Sequence, residues 1–280
     1  MVGGRIRRAV SAPTFYYPAM QRFTFAILLA LLGVGIGAMF LIPPIAQPLW
    51  YHDFADKRFL LGIPNFWNVI SNVPFLFVGG LGIWYVASES SPLNASHRWM
   101  YLVLFVAVAL TGVGSAYYHL DPNNDRLVWD RLPIAVTFMA LFAIIIGEHL
   151  NRCAGILLFL PLVVLGSATV FYWHLTEAWG RGDLRPYFLA QLYPAVAMPF
   201  ILWLCPASDT GAGNLYSAML WYVGAKIYEF LDNDVFSFGQ VISGHTLKHI
   251  GAAISCTMIL VWVREHRVPG NPRNATTLSH

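Results

Sequence analysis

Eight apolar stretches, each about as long as a membrane-crossing helix, constrain this chain more than any other feature. They cover residues 23–43, 66–87, 99–120, 127–147, 154–173, 187–205, 214–232 and 240–263. A helix needs roughly 20 mostly apolar residues to cross the hydrocarbon core of a bilayer. Charged residues make up only 11% of the chain, whereas soluble domains carry about 25%. The sequence therefore predicts an all-α, polytopic transmembrane helix bundle.

Short connectors rich in turn-forming residues join the runs, for example at 121–125 and 206–209, which favours one compact bundle. With the helices threaded back and forth, nine Lys and Arg residues fall on the face that carries both termini and five on the other. Basic residues resist translocation, so we expect both termini in the cytoplasm. The basic residues form no patch and the net charge is +3. We therefore expect the lipid bilayer as the partner, no nucleic acid and no obligate protein partner.

The first run follows a basic segment, as a secretory signal does. It is long for the apolar part of such a signal and has no small-residue cleavage site, so we expect a retained helix. The organisation predicted is a basic cytoplasmic tail at 1–22, a transmembrane helix at 23–43, a helical core, and a flexible C-terminal tail at 266–280.

Five polar side chains are predicted at one depth inside the apolar runs. Ser115 and His119 stand four residues apart, as do His245 and His249, which places each pair on one helix face. Asp130 lies about one turn inside the fourth run, just after a short connector. The third run ends, and the fourth and eighth begin, at the non-cytoplasmic face. Ionisable groups in a membrane are functional candidates by default, so this convergence predicts a site near that face.

The three histidines suit a zinc ion. His119, His245 and His249 would leave its fourth position open, as in catalytic sites. A zinc ion would lower the pKa of a water in that position to about 7. Asp130 could act as its general base, and Ser115 could donate a hydrogen bond to the oxyanion. Taken singly, a membrane histidine is more often a helix-to-helix hydrogen bond, and Ser115 would be ordinary packing.

These residues resemble the alkaline ceramidase family, within a superfamily of seven-helix membrane hydrolases that also includes adiponectin and progestin receptors. The resemblance covers about 50–265 and lies in the SxxxH of Ser115 and His119, the aspartate Asp130, and the HxxxH of His245 and His249. It implies a seven-helix hydrolase core at 50–265, with the helix at 23–43 as an extra N-terminal element. It also implies three zinc-binding histidines, a serine and an aspartate that assist the water, and cleavage of ceramide-like N-acyl lipids to a sphingoid base and a fatty acid.

One departure from the resembled family concerns calcium. Its members bind this ion through an acidic segment before the first core helix and a glutamate at the start of that helix. Here Asp53 and Asp56 are present, but Arg58 and Asn65 replace an amide and a carboxylate. A guanidinium brings positive charge and no acceptor. We expect no calcium ion here; as a hypothesis, Arg58 takes the place of the cation and pairs with Asp53 or Asp56.

Further polar residues lie within the runs. Asn68, Ser71 and Asn72 share one helix face, where they either recognise a lipid headgroup or bond helices together. Lys226 and Glu229 are placed to neutralise each other at i and i+3. Binding and structural roles both stay open for the first group, whereas structural pairing is favoured for Lys226 and Glu229.

Two functions other than hydrolysis are compatible with these residues. The first is a lipid-sensing receptor with a structural zinc, as the receptor members of the superfamily permit. The second is a proton-coupled transporter that uses Lys226, Glu229 and Asp130 as a relay, although no convincing inverted repeat is present. No role is assigned to Lys248.

Overall fold

The computed structural model describes residues 17–88, 91, 93, 96–206 and 211–265. These residues form ten α-helices and no β-strand: α1 (Tyr17–Leu41), α2 (Phe66–Ile70), α3 (Val73–Ala87), α4 (Arg98–Leu120), α5 (Asn124–His149), α6 (Arg152–Ala178), α7 (Arg185–Leu204), α8 (Ala212–Phe230), α9 (Asp232–Ser237) and α10 (Gly244–Glu265). The all-α prediction is confirmed. The predicted C-terminal tail and residues 1–16 of the predicted N-terminal tail lie outside the described residues.

All eight apolar runs form helices. Seven spans within the described residues are long and apolar enough to cross a membrane, with α2 and α3 together forming one of them. The remaining run is α8, whose 19 residues include Lys226 and Glu229 and which packs along α10. The protein is thus a multi-pass helix bundle. Helix α1 begins at Tyr17, so residues 17–22 of the predicted tail are helical.

The second run is interrupted within its length. Helix α2 ends at Ile70 and α3 begins at Val73, with Ser71 and Asn72 between them. Pro74 has no backbone N–H and cannot donate to the carbonyl of residue 70, so a continuous helix is disfavoured here. The break lets the side chains of Ser71 and Asn72 face α10.

The packing of the helices brings the end of α4 close to the start of α5 and the start of α10. Helix α4 lies between α3 and α5, α5 also contacts α6 and α7, and α10 contacts α8 and α3. A Cβ atom added at Gly114 would lie 2.0 Å from the carbonyl oxygen of Trp129. Helices α4 and α5 are therefore in backbone contact at the level of Ser115 and Asp130.

The connector between α1 and α2 folds back over the bundle. The two ring nitrogens of His52 lie 2.8 Å from the Tyr118 hydroxyl and 3.0 Å from Asn124 Oδ1. The backbone N–H of Ala55 donates to Asp232 Oδ2 at 3.0 Å. Partial burial lowers the pKa of His52, which favours its neutral form at neutral pH. This connector covers the end of the bundle that carries the predicted site.

The outer surface is rich in exposed large apolar side chains, among them Phe77, Trp84, Leu160 and Leu220. Soluble monomers rarely expose contiguous apolar surface on this scale. Lipid is the solvent that such a surface requires.

Candidate metal centre and substrate cavity

His119, His245 and His249 come together as the sequence predicts. Their ligand atoms all lie within 4.8 Å of one another, and the three residues are at most 3% exposed. His119 stands one residue before the end of α4, while His245 and His249 occupy the first two turns of α10. Two helix ends therefore supply the cluster.

The ring nitrogens fit a cation. The Nε2 atoms of His119 and His245 lie 3.3 Å apart, and two ligands of a tetrahedral zinc, each about 2.0–2.1 Å from it, are about 3.3 Å apart. His249 Nε2 is buried and has no hydrogen-bond partner among the described residues. Buried polar atoms normally find a partner, so a metal ion would satisfy these lone pairs.

Ser71 fixes the orientation of one imidazole. Its hydroxyl oxygen lies 2.7 Å from His249 Nδ1 and itself donates to the carbonyl of Asn68 at 3.3 Å. A metal on His249 Nε2 requires the proton on Nδ1, and in that tautomer the Ser71 oxygen accepts the Nδ1–H while its own proton goes to Asn68. Ser71 is therefore placed to orient this imidazole, as residues that hydrogen-bond to a metal ligand commonly do.

Polar side chains also hold the two helix ends in place. Asn65 donates to the carbonyl oxygen of His119 at 2.9 Å, where α4 is ending. Asp232 Oδ1 accepts the backbone N–H of His245 at 2.7 Å in the first turn of α10. Helix ends leave such groups without intrahelical partners, so both contacts stabilise the ends that carry the histidines.

Phe54 covers the cluster from the connector. Its ring centroid lies 4.6 Å from that of His119 and 4.4 Å from that of His245, and the residue is 5% exposed. This aromatic contact excludes water from one side of the histidines.

Ser115 and Asp130 line a cavity with His249. The Ser115 hydroxyl interacts with the Asp130 carboxylate, and the two residues are 2% and 6% exposed. Three of the five predicted site residues thus share one cavity wall, while His119 and His245 complete the cluster behind it.

The cavity has a volume of about 510 Å³, within the range of about 300–1,000 Å³ that is usual for small-molecule sites. Most of its wall is apolar, with Phe75, Val108, Met198, Leu215 and Ile259 among its members. Such a wall suits an acyl chain.

A charged cluster lines the same cavity beside the histidines. The Glu229 carboxylate accepts hydrogen bonds from Lys226 at 2.6 Å and from Lys248 at 2.7 Å. The predicted pairing of Lys226 with Glu229 is confirmed. Lys248, which has no role predicted from the sequence, has its Nζ 3.5 Å from His245 Nε2.

The segment from Asp53 to Arg58, where we expect no calcium ion, forms ion pairs. Arg58 donates Nε–H to Asp56 Oδ1 at 2.8 Å and pairs with the second carboxylate oxygen through Nη2. These hydrogen bonds raise the pKa of Arg58. Lys57 pairs with Asp53. The structure therefore contains the predicted pairing of Arg58 with Asp56, and Asn65 bonds to the α4 carboxyl end.

Asn68, Ser71 and Asn72, the three candidates for contact with a lipid headgroup, have different surroundings. Asn68 is fully buried, and its Oδ1 accepts from the hydroxyl of Thr246 at 3.0 Å. Ser71 contacts His249, as described above. The side chain of Asn72 lines the cavity, with Oδ1 lacking a partner among the described residues. Asn68 and Ser71 thus bond helices together, and a headgroup contact remains a prediction for Asn72.

The contacts of Phe54, Ser71 and Lys248 with the histidines were not predicted from the sequence, nor was the position of Arg131 in the cavity wall. For Arg131 a signal was present, since an arginine inside an apolar run is itself a functional candidate. The contacts of Phe54 and Ser71 join segments far apart in the chain, and helical periodicity carries no information on them.

Comparison with known protein families identifies a match. The model of a family described as Ceramidase matches residues 60–206, which is more than half of the chain. The matched segment contains Ser115, His119 and Asp130 and ends before α8. No curated protein matches the chain.

Proposed function

Because this chain belongs to the ceramidase family, whose members hydrolyse the amide bond of ceramide, we propose that it does so with a zinc ion held by His119, His245 and His249. Family membership makes the protein an amide hydrolase with a lipid substrate, so the receptor and transporter alternatives are set aside. Ceramide would be cleaved to a sphingoid base and a fatty acid.

The observation that carries the zinc assignment is the meeting of three buried imidazoles beside a lipid-sized cavity. His249 lines that cavity with Ser115 and Asp130. Three protein ligands and an accessible fourth position are typical of catalytic zinc sites.

Asp130 and Ser115 would assist the metal ion in the hydrolysis. When bound, zinc would polarise the scissile carbonyl and acidify a water. Asp130 accepts the proton of the attacking water as general base and returns it to the leaving nitrogen. Ser115 interacts with the Asp130 carboxylate at rest. Once Asp130 has taken up the proton, the Ser115 hydroxyl turns to the carbonyl oxygen and stabilises its developing negative charge.

The lipid would enter from the bilayer. Helices α5, α7 and α8 all contribute to the cavity wall, yet α8 makes few contacts with α5 and α7. We propose the gap beside α8 as the opening for an acyl chain. The hydrolysed bond would lie near the non-cytoplasmic face, with both termini in the cytoplasm.

The experiment is incubation of the purified protein with ceramides of several acyl lengths, with mass spectrometry of the products. Release of a sphingoid base and a fatty acid, lost on removal of zinc by a chelator and restored by added zinc, is expected. Undiminished hydrolysis by protein shown to be free of metal would contradict the zinc proposal.

A further inference from the structure

Arg131 carries a buried positive charge without a carboxylate partner. It is 5% exposed, and no carboxylate of the described residues pairs with it within 4.0 Å. Its Nη2 donates to Gln47 Oε1 at 2.6 Å, while its Nη1 has no hydrogen-bond partner among the residues described. Burying a cation without an anion is costly, so the arrangement needs an explanation.

Aromatic rings surround the guanidinium instead. Its carbon lies 4.2 Å from the ring centroid of Trp173, 4.9 Å from that of Tyr187 and 5.5 Å from that of Tyr51. Cation–π contacts stabilise a desolvated arginine but leave its charge in place. The aromatic cage therefore holds the cation in position and preserves its attraction for an anion.

The guanidinium belongs to the polar part of the substrate cavity. Arg131 and Gln47 line this cavity, as do Tyr51 and the Lys226–Glu229–Lys248 cluster. Tyr51 connects the two groups, because its ring contacts Arg131 and its hydroxyl donates to Glu229 at 3.3 Å. Lys248 in turn neighbours His245. One continuous polar patch thus runs from Arg131 to the histidines.

This patch has an excess of positive charge. The cations Arg131, Lys226 and Lys248 face the cavity with the carboxylates Asp130 and Glu229. Glu229 is shared between both lysines. A neutral ceramide offers hydroxyl and amide groups and no anion to balance this excess.

We propose that Arg131 and the neighbouring lysine cluster form a subsite for an anionic oxygen group, a carboxylate or phosphate, attached to the lipid in the cavity. This inference rests on the proposed function, since it names a property of the amphiphile bound at the same site. Arginine forms charge-assisted hydrogen bonds to such groups. The anion has two sources, a charged headgroup of the N-acyl substrate or the carboxylate of the released fatty acid.

Two comparisons distinguish these sources. The first is kcat/KM for N-palmitoylglycine, which carries a carboxylate, relative to N-palmitoylsphingosine, which is neutral and has a second alkyl chain; the ratio is compared between variants. The second is inhibition of ceramide hydrolysis by palmitate relative to hexadecanol, which differ only in the carboxylate. Both are measured for the wild type, Arg131→Gln, Arg131→Lys and Arg126→Gln. Arg126 is the matched control, because it lies on α5 over the ring of Tyr117 and does not line the cavity.

Loss of one charge-assisted contact predicts about a tenfold or larger effect in Arg131→Gln. A fall in relative kcat/KM for the glycine conjugate identifies the headgroup, and weaker inhibition by palmitate alone identifies the product. Partial retention is expected in Arg131→Lys and no change in Arg126→Gln. If Arg131→Gln changes neither the kcat/KM ratio nor the inhibition ratio, the proposed subsite is contradicted.

A binding measurement keeps this test separate from the proposed function. Palmitate should raise the melting temperature of the wild type more than hexadecanol does, and Arg131→Gln should abolish the difference. This readout needs no turnover, so it stands even if the protein fails to hydrolyse ceramide. Equal increases in the melting temperature of the wild type with palmitate and with hexadecanol would contradict the proposed subsite.

Discussion

The Nε2 atoms of His119 and His245 lie 3.3 Å apart although the two residues are 126 positions apart in the chain. One comes from the end of α4 and the other from the start of α10. Facing imidazole nitrogens deep in a bundle are costly unless their lone pairs are satisfied. Together with His249, they form a cluster that could hold a metal ion.

Asp130→Asn should retain zinc and slow ceramide hydrolysis by about a hundredfold or more, the scale of a lost general base. The amide keeps the shape of the carboxylate but cannot accept the proton of the water. Steady-state kinetics and metal content on the same sample check this. Asp125→Asn, a change at an exposed position in the first turn of α5, is the control and should leave the rate unchanged. A near-normal rate in Asp130→Asn would remove Asp130 from the mechanism.

Ser71→Ala should weaken zinc binding by about 10- to 100-fold, the usual effect of losing a partner of a ligating histidine. The substitution removes the oxygen that lies 2.7 Å from His249 Nδ1. Competition with a chelator measures the affinity. Ser255→Ala removes another buried serine, whose hydroxyl donates to the carbonyl of Ala218, and should leave the affinity unchanged. Equal affinities in the two variants would show that Ser71 does not orient His249.

Gly114→Ala should destabilise the protein by about 1–3 kcal/mol or more, as overpacking does. The new methyl group would overlap the carbonyl oxygen of Trp129 and push α5 away from α4. Thermal unfolding in detergent checks the effect. Gly224→Ala is the matched control, because nothing lies within 4 Å of its added Cβ and alanine favours a helix. A melting temperature unchanged by Gly114→Ala would contradict the close contact of the two helices.

Calcium should not raise the melting temperature of the purified protein. Arg58 donates two hydrogen bonds to the Asp56 carboxylate, and Lys57 pairs with Asp53. Both carboxylates therefore already have cationic partners. Thermal unfolding with calcium or with a calcium chelator checks this. Stabilisation by calcium that disappears in Asp53→Ala would show that the ion displaces these pairs.

The sequence predicts the bundle well because its signals are local. Apolar runs give the helices within a few residues, and spacings of four place His245 with His249 and Ser115 with His119 on common faces. Short connectors then bring Asp130 beside Ser115. The break at Ser71 and Asn72 could have been anticipated from Pro74, whose missing N–H is a property of one residue.

Other features depend on contacts between distant segments. Phe54 contacts the rings of His119 and His245 only because the connector after α1 folds back over the bundle. The rings around Arg131 come from that connector and from α6 and α7. Helical periodicity gives the face of a residue but not the partner across the interface, so these contacts needed the structure.

The central claim, that three histidines hold a catalytic zinc, is tested most directly by measuring zinc per chain together with ceramide hydrolysis in the wild type and in His245→Ala/His249→Ala. His174→Ala, a change outside the cluster and the cavity on α6, serves as the control. We predict about one zinc and full activity in the wild type and the control, and loss of both in the double variant. Hydrolysis at the wild-type rate by a double variant without zinc would contradict the account.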